Sequence, residues 1–280
     1  MTLTPDRYAV TGYPVTHSKS PMIHALFAKQ TGQSMVYERL ELAPEDFPDG
    51  VNDFFAAGGK GLNVTVPHKE SAWQLAQWRT PNAELAGAVN TLYMLDDGRL
   101  AGDNTDGTGL VRDLEINHAS SLKGSNILIL GAGGAVRGVI PRLIDAGPES
   151  LTVVNRTLAR AQALAQHFAD LMPVRVLSYE QLSTSGFSPD WIINGSSSGL
   201  QGEMPPLPDS LIRPQTGCYD MVYAPGGTVF QHWAQERGAA LALDGSGMLV
   251  EQAAESFRIW RGVMPRTAPV IKALQAELAR

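Results

Sequence analysis

At 280 residues, with 44% hydrophobic and 18% charged side chains, the chain has the make-up of an ordinary globular protein, with room for one large domain or two modest ones. A net charge of −6 without any Lys/Arg cluster argues against nucleic acid as a partner, and no run approaches the ~20 apolar residues of a membrane span. The lone cysteine, Cys218, excludes an internal disulfide, and the six histidines lack metal-ligand spacing, so no metal is expected. The opening "MTLTPDRYAV" has no apolar core of a secretion signal, which points to the cytoplasm.

Segments of strand and helix character alternate along most of the chain, which predicts an α/β fold with mainly parallel sheet. A strand over Tyr8–Gly12 leads through "YPVTHSKS" into a helix, with Ser20 as N-cap, Pro21 at the first helical position and Gly32 as the stop. A strand near Val36–Leu40 and a helix around Phe47–Ala57 follow. In "NVTVPHK" (63–69), Val64 and Val66 alternate with Asn63 and Thr65, the period of a half-buried strand that ends close to Lys69. A helix through "KESAWQLAQW" comes next, and "AVNTLYMLDDGRLAGDN" reads as a hairpin turning at Asp97-Gly98.

The second half opens with Ile127–Leu130, an apolar run suited to a strand covered on both faces, with a helix from about Gly134. Further strands are predicted in "SLTVVNRT", near Val174, over Trp191–Asn194, in "GCYDMVY" and in "AALALDG". Helices are predicted in "LARAQALAQHF", in "VFQHWAQERG" and over most of 247–280. Cys218 reads as a small core residue, His24 and His68 as packing or hydrogen-bonding residues, and Trp73, Trp78, Trp233 and Trp260 as packing residues on helices.

"LILGAGGAVRG" joins an apolar strand, a glycine-rich turn and a helix, with Gly131, Ala132, Gly133, Gly134 and Ala135 as the turn. Glycines there let backbone N–H groups approach a pyrophosphate, to which the helix N-terminus adds positive partial charge. A second strand about 20 residues on completes the context for dinucleotide binding. An NAD site places a carboxylate at the end of that strand, whereas this chain has Asn155, Arg156, Thr157 and Arg160. Guanidinium groups pair with a 2′-phosphate, and basic residues are poorly placed at a helix start for any structural reason, so NADP is the expected cofactor.

The first hundred residues are the candidate substrate domain. Ser18, Ser20, Asn63, Thr65, Lys69, Asn90, Asp103 and Asp106 cluster there at strand ends and in loops, although each has a plain alternative as a cap, turn or surface residue. In order, "GYPVTHSKSP", "GGKGLNVTVPHK", "AGAVNT", "GDNTDG", "LGAGGA", "NRT" and "DGSGMLVEQ" closely resemble the shikimate dehydrogenase family over essentially the whole chain. The resemblance implies reversible NADPH-dependent reduction of 3-dehydroshikimate to shikimate, in aromatic amino-acid biosynthesis. It makes Lys69 and Asp106 the catalytic pair, and Ser18, Ser20, Thr65, Asn90, Tyr223 and Gln252 the substrate-binding residues; Asn63, which offers both a donor and an acceptor to vicinal hydroxyls, is expected to bind substrate with them. Gly131 to Ala135, Asn155 to Arg160, Met221 and Gly245 would line the cofactor site.

The implied architecture is an α/β substrate domain, 1–106 and 246–280, and a Rossmann-type NADP domain, 107–245, with the C-terminal helices returning to the first. Acid/base work falls to the coupled unit of Lys69 and Asp106 rather than to one residue. Many members read "ATSSG" where this chain reads "GSSSG" (195–199), so Gly195 is expected to loosen that loop, and "SSSGLQGEMPPLP" is rich in breakers. The alternatives are a quinate/shikimate dehydrogenase using NAD and a nucleotide-binding regulator without catalysis. A folate-linked methylene dehydrogenase shares the two-domain plan but matches "HSKSP" and "GDNTDG" poorly. A small-molecule substrate is the expected partner, and the chain is expected to be a monomer or homodimer.

Overall fold

In the computed structural model, which describes residues 4–196 and 203–279, the strand β1 (Asp6–Gly12) runs parallel to both β2 (Met35–Glu41) and β3 (Gly61–Val64). These three lead a six-stranded sheet, β2-β1-β3-β5-β6-β4, in which β5 (Thr91–Met94) lies antiparallel to β3 and to β6 (Leu100–Asp103). The short strand β4 (Trp78–Arg79) closes the far edge. This sheet is therefore mixed though still mainly parallel: the predicted hairpin brings in its two antiparallel ladders, both through β5, and Gly98, at φ 83, makes the turn between β5 and β6.

Three local expectations are corrected. The helix α1 (Ser20–Thr31) is capped by Lys19, and Ser20 is its first residue, with its N–H donated to the Ser18 hydroxyl at 3.3 Å. The strand β3 stops at Val64 with all its residues buried, so it is covered on both faces rather than alternating. The helix α3 (Lys69–Leu75) ends before Gln77, and Trp78 joins the sheet as β4 instead of extending a helix.

The first unit comprises Met1–Gly109 and Leu249–Leu274. Helices α2 (Phe47–Ala56), α3 and α4 (Pro81–Ala86) bring Phe47, Val51, Phe54, Ala72 and Ala83 against Ala9, Leu62, Val64 and Leu92 of the sheet. The other face takes α1 and α10 (Ser246–Arg261). Trp260 of α10 lies 4.9 Å, ring to ring, from Tyr8 and donates its indole N–H to the Leu92 carbonyl at 3.3 Å. An added Cβ at Gly61 would sit 2.5 Å from the Trp260 ring, so glycine is what lets the returning helix reach β3.

The second unit comprises Leu110–Met248 and Gln275–Arg280. Its sheet is wholly parallel, in the order β12-β11-β10-β7-β8-β9. The strands are β7 (Asn126–Leu130), β8 (Ser150–Val154), β9 (Val174–Leu177), β10 (Trp191–Asn194), β11 (Gly217–Asp220) and β12 (Leu241–Leu243). Counted within the unit this is the doubly wound 3-2-1-4-5-6 arrangement, with its switch point between β7 and β10. Helices α6 (Gly134–Asp145), α7 (Leu158–His167), α8 (Tyr179–Thr184) and α9 (Val229–Glu236) connect the strands; α5 (Asp106–Arg112), which begins in the first unit, precedes β7, and α11 (Ala268–Leu278) is the last helix, with residues 268–274 in the first unit. Cys218 is fully buried in β11, and burial pushes its thiol up to about 12, so it is a core residue.

On α1 the buried stripe is Ile23, His24, Phe27 and Ala28. The His24 ring stacks on Tyr37 at 4.1 Å and 5°, and neither ring nitrogen has a hydrogen-bond partner. Burial lowers its pKa to about 3, with the nearby Asn63 amide acting more weakly in the opposite sense. The unfolded chain takes up this proton near the ordinary value of 6.5 while the folded chain does not until about 3. Stability is therefore full above that range and falls as pH drops through it, by up to about 1.4 kcal/mol per pH unit from this one group. Denaturant unfolding between about pH 4 and 7 tests this: His24→Phe should flatten the acid limb relative to the native chain, and parallel limbs would refute it.

Candidate active site

In the first unit, the end of β3 and the start of α3 are set by close backbone bonding. Thr65 N–H donates to the Thr11 carbonyl at 2.9 Å, and His68 N–H to the Thr65 carbonyl at 3.0 Å. The His68 ring is pinned by a 2.8 Å hydrogen bond with the Leu42 carbonyl and by stacking on Phe47 at 4.5 Å. Lys69 is thus the first residue of α3, and its own carbonyl accepts the Val89 N–H at 2.9 Å, which ties α3 to the segment before β5. Its side chain is 16% exposed, and Nζ lies 2.5 Å from Asp106 Oδ2.

Asp106 opens α5, where its backbone N–H donates to Asn104 Oδ1 at 3.1 Å. Its second oxygen, Oδ1, accepts from Asn90 Nδ2 at 2.8 Å. Asn90 also donates to Thr105 Oγ1 at 2.9 Å and to Gln252 Oε1 at 3.3 Å, while its oxygen accepts the Thr105 N–H at 2.9 Å and the Thr91 hydroxyl at 2.8 Å. A backbone N–H can only donate, so the Asn90 amide has one possible orientation, with nitrogen toward Asp106. Both Asp106 oxygens are then held, one by a cation and one by an amide, whereas the ammonium keeps donors beyond the one directed at Asp106.

Asn63, in the centre of β3, accepts from the Tyr37 hydroxyl at 2.7 Å and donates to the Asn90 carbonyl at 3.2 Å, Thr91 Oγ1 at 3.3 Å and Ser256 Oγ at 2.9 Å. Gln252, on α10, gives its amide N–H to the Leu249 carbonyl at 2.9 Å. The fold therefore links Asn63, Lys69, Asn90, Asp106 and Gln252 in one buried polar network. Ser18 and Ser20 stand at the α1 N-terminus, whose first turn carries no acidic residue, and Thr65 is half-buried beside β1. Asp103 lies outside the network, bonded to the Thr80 hydroxyl at 2.5 Å and the Asn104 N–H at 2.7 Å. Tyr37, Thr91, Thr105 and Ser256 join the network without having been singled out. Thr91 and Thr105 sat within the quoted motifs "AGAVNT" and "GDNTDG"; Tyr37 and Ser256 carried no local signal.

In the second unit, Gly131 leaves β7 at φ +104, and an added Cβ would lie 2.9 Å from the Gly195 carbonyl oxygen. Only glycine permits both the left-handed backbone and that approach. Gly133 is the N-cap of α6, with no side-chain cap, and a Cβ at Gly133 or Gly134 would enter open space. Those first-turn N–H groups face an open cradle with no acid in the turn, which fits a pyrophosphate. Gly195, expected to loosen its loop, is instead tightly placed: its N–H bonds the Leu130 carbonyl at 2.9 Å, and an added Cβ would meet Val136 at 2.5 Å and Met221 at 2.9 Å. Residues 197–202 of the breaker-rich stretch beyond it fall outside the described residues.

Met221 N–H donates to the Asn194 carbonyl at 2.9 Å, and an added Cβ at Gly245 would sit 2.4 Å from the Met221 carbonyl oxygen, so these segments cross backbone to backbone. Tyr223 lies two residues on, also in this unit. Past β8, Asn155 Nδ2 bonds the Thr157 carbonyl at 2.8 Å and shapes the turn into α7. Arg156 and Arg160 are exposed there, and Thr157 is the α7 N-cap with its side chain uncommitted to the helix. A 2′-phosphate fits this donor set, and no carboxylate stands in the turn to repel it.

Three family models match the chain: "Shikimate dehydrogenase substrate binding domain" over residues 10–92, "Shikimate / quinate 5-dehydrogenase" over 113–200, and "Shikimate 5'-dehydrogenase C-terminal domain" over 245–275. A shikimate dehydrogenase (NADP(+)) of Alkalilimnicola ehrlichii is 57% identical over 272 residues, 97% of this chain and 99% of that one. Another, from Marinobacter nauticus, is 51% identical over 280 residues, 98% of this chain and 100% of its own. A solved shikimate 5-dehydrogenase of Thermus thermophilus, in complex with NADP(H) and shikimate, superposes with a TM-score of 0.86 at 35% identity, covering 97% of this chain and 99% of that one. With family models and near full-length relatives agreeing, the chain belongs to the shikimate dehydrogenase family.

Proposed function

We propose that the protein is an NADP-dependent oxidoreductase that interconverts 3-dehydroshikimate and shikimate in the shikimate pathway. The observation that carries the reading is the Lys69–Asp106 pair, 2.5 Å apart and buttressed by Asn90, within a unit matched by the family's substrate-binding model. The absence of a carboxylate at the β8 turn, with Arg156 and Arg160 exposed instead, supports NADP over NAD. The lone, buried cysteine fits a cytoplasmic enzyme.

NADPH, when bound, supplies the hydride accepted by C3 of 3-dehydroshikimate. The glycine turn Gly131–Ala135 would hold its pyrophosphate, Asn155, Arg156, Thr157 and Arg160 its 2′-phosphate ribose, and Met221 and Gly245 would line the same cofactor site. As the C3 carbonyl becomes an alkoxide, the Lys69 ammonium stabilises the developing charge and passes it a proton. Asp106 aims that ammonium through Oδ2, and Asn90 aims Asp106 through Oδ1. In the reverse direction the Lys69–Asp106 unit takes the hydroxyl proton of shikimate. Ser18, Ser20 and Tyr223 hold the ring carboxylate, assisted by the positive end of α1. Asn63, Thr65 and Gln252 meet the ring hydroxyls, and a site that bonds hydroxyls rejects analogues lacking them.

Initial rates with shikimate and with quinate, each with NADP and with NAD, test the assignment. Shikimate with NADP should be the strongly preferred pair. A preference for quinate with NAD would replace this reading, and no turnover with any pair would favour the non-catalytic regulator. Lys69→Ala should lower kcat by about 10²–10⁴ while leaving NADPH binding, followed by nucleotide fluorescence, unchanged. Near-normal turnover would remove Lys69 from the chemistry. Arg156→Ala should raise the KM for NADPH about tenfold or more and leave that for NADH unmoved, and equal losses for both would make Arg156 structural.

A further inference from the structure

Asn63 is held at both ends of its amide. The Asn90 backbone carbonyl, 3.2 Å from Nδ2, can only accept, so that end of the amide is the nitrogen and Oδ1 is the end facing Tyr37. Ser256, fully buried on α10, takes a second hydrogen bond from Nδ2 at 2.9 Å. The protons of Nδ2 are thereby used inside the protein. Toward any ligand, Asn63 is left with the remaining acceptor capacity of Oδ1. Tyr37 must donate its single proton to that oxygen at 2.7 Å, which leaves the phenol oxygen as an acceptor. Burial raises the phenol well above its ordinary range. Tyr37 thus meets the polar centre of β3 through its hydroxyl, and its ring is fixed by stacking on His24 at 4.1 Å.

We propose that Tyr37 is a positioning residue for substrate recognition: its hydroxyl holds Asn63 in the single orientation that presents an acceptor to a ring hydroxyl. This rests on the shikimate assignment of the same site. Tyr37 touches no reacting atom; it acts through Asn63. Without the hydroxyl, Oδ1 loses its fixed donor, and a bound shikimate must order an amide that the native protein holds in place.

The test is Tyr37→Phe, which keeps the ring and its stack on His24. Shikimate binding by calorimetry should weaken about tenfold, with kcat within about threefold and NADP affinity unchanged, since one hydrogen bond of positioning is lost. In an Asn63→Ala background, the same substitution should weaken shikimate binding far less than it does alone. Unaltered shikimate affinity in Tyr37→Phe, while Asn63→Ala binds weakly, would overturn the inference alone. An equal loss with and without Asn63, or shikimate and NADP weakening together with a lowered Tm, would overturn it as well and make Tyr37 structural. Absence of shikimate binding by the native protein would overturn the substrate assignment, and this inference with it.

Discussion

The ion pair between Lys69 and Asp106 is the constraint around which the first unit is arranged. Both groups are largely out of water, at 16% and 7% side-chain exposure, so each depends on the other and on hydrogen bonds to replace its hydration. Asn90 supplies the remaining contact to Asp106, and the Thr105 N–H orients Asn90 in turn. Loss of either charge would leave its partner uncompensated, which in buried pairs costs about 3–5 kcal/mol. An arrangement with that cost built in suits a proton-handling site better than a scaffold, because apolar residues of the same size would hold the fold as well.

Four chain segments must be in register for the pair to meet. β3 delivers Lys69 through the turn at Thr65–His68, the segment before β5 delivers Asn90, α5 begins on Asp106, and α10 brings Gln252 and Ser256 from the far end of the chain. Each junction is fixed by backbone hydrogen bonds, such as Val89 N–H to the Lys69 carbonyl and Val64 N–H to the Asn90 carbonyl at 2.8 Å. Gly61 matters here in a way its own conformation does not reveal. By lacking a side chain it admits Trp260, and with Trp260 the helix that carries Ser256 and Gln252.

The second unit meets a different demand, that of bringing backbone close to backbone. Gly131 faces the Gly195 carbonyl, and Gly245 faces the Met221 carbonyl, so the ends of β7, β10 and β11 pack without intervening side chains. Gly133 and Gly134 face open space, and there the missing side chains leave the first N–H groups of α6 accessible. Asp220, buried at the end of β11, takes hydrogen bonds from Asn194 and from the Val222 N–H at 3.2 Å each, which sets the start of the loop carrying Met221 and Tyr223.

Much of this was legible in the residue order. Strand–glycine–helix succession located β7 and α6 because apolar runs and φ-permissive residues act locally, and the basic turn after β8 was visible for the same reason. The motif series identified Lys69, Asn90 and Asp106 before any geometry was known. Local pattern misjudged β3, whose alternation of valines with Asn63 and Thr65 implied a solvated face. Helices α2 and α3 cover one face, but burial of the other depends on α10, nearly two hundred residues away. It also took Ser20 for a cap, since the choice between Ser18, Lys19 and Ser20 depends on where the loop turns. Tyr37 and Ser256 left no trace in sequence pattern, because a hydrogen bond between side chains remote along the chain exists only once strands and helices have packed. Residue types and local order determined the elements and the chemistry available; the packing of distant elements decided which of those groups touch.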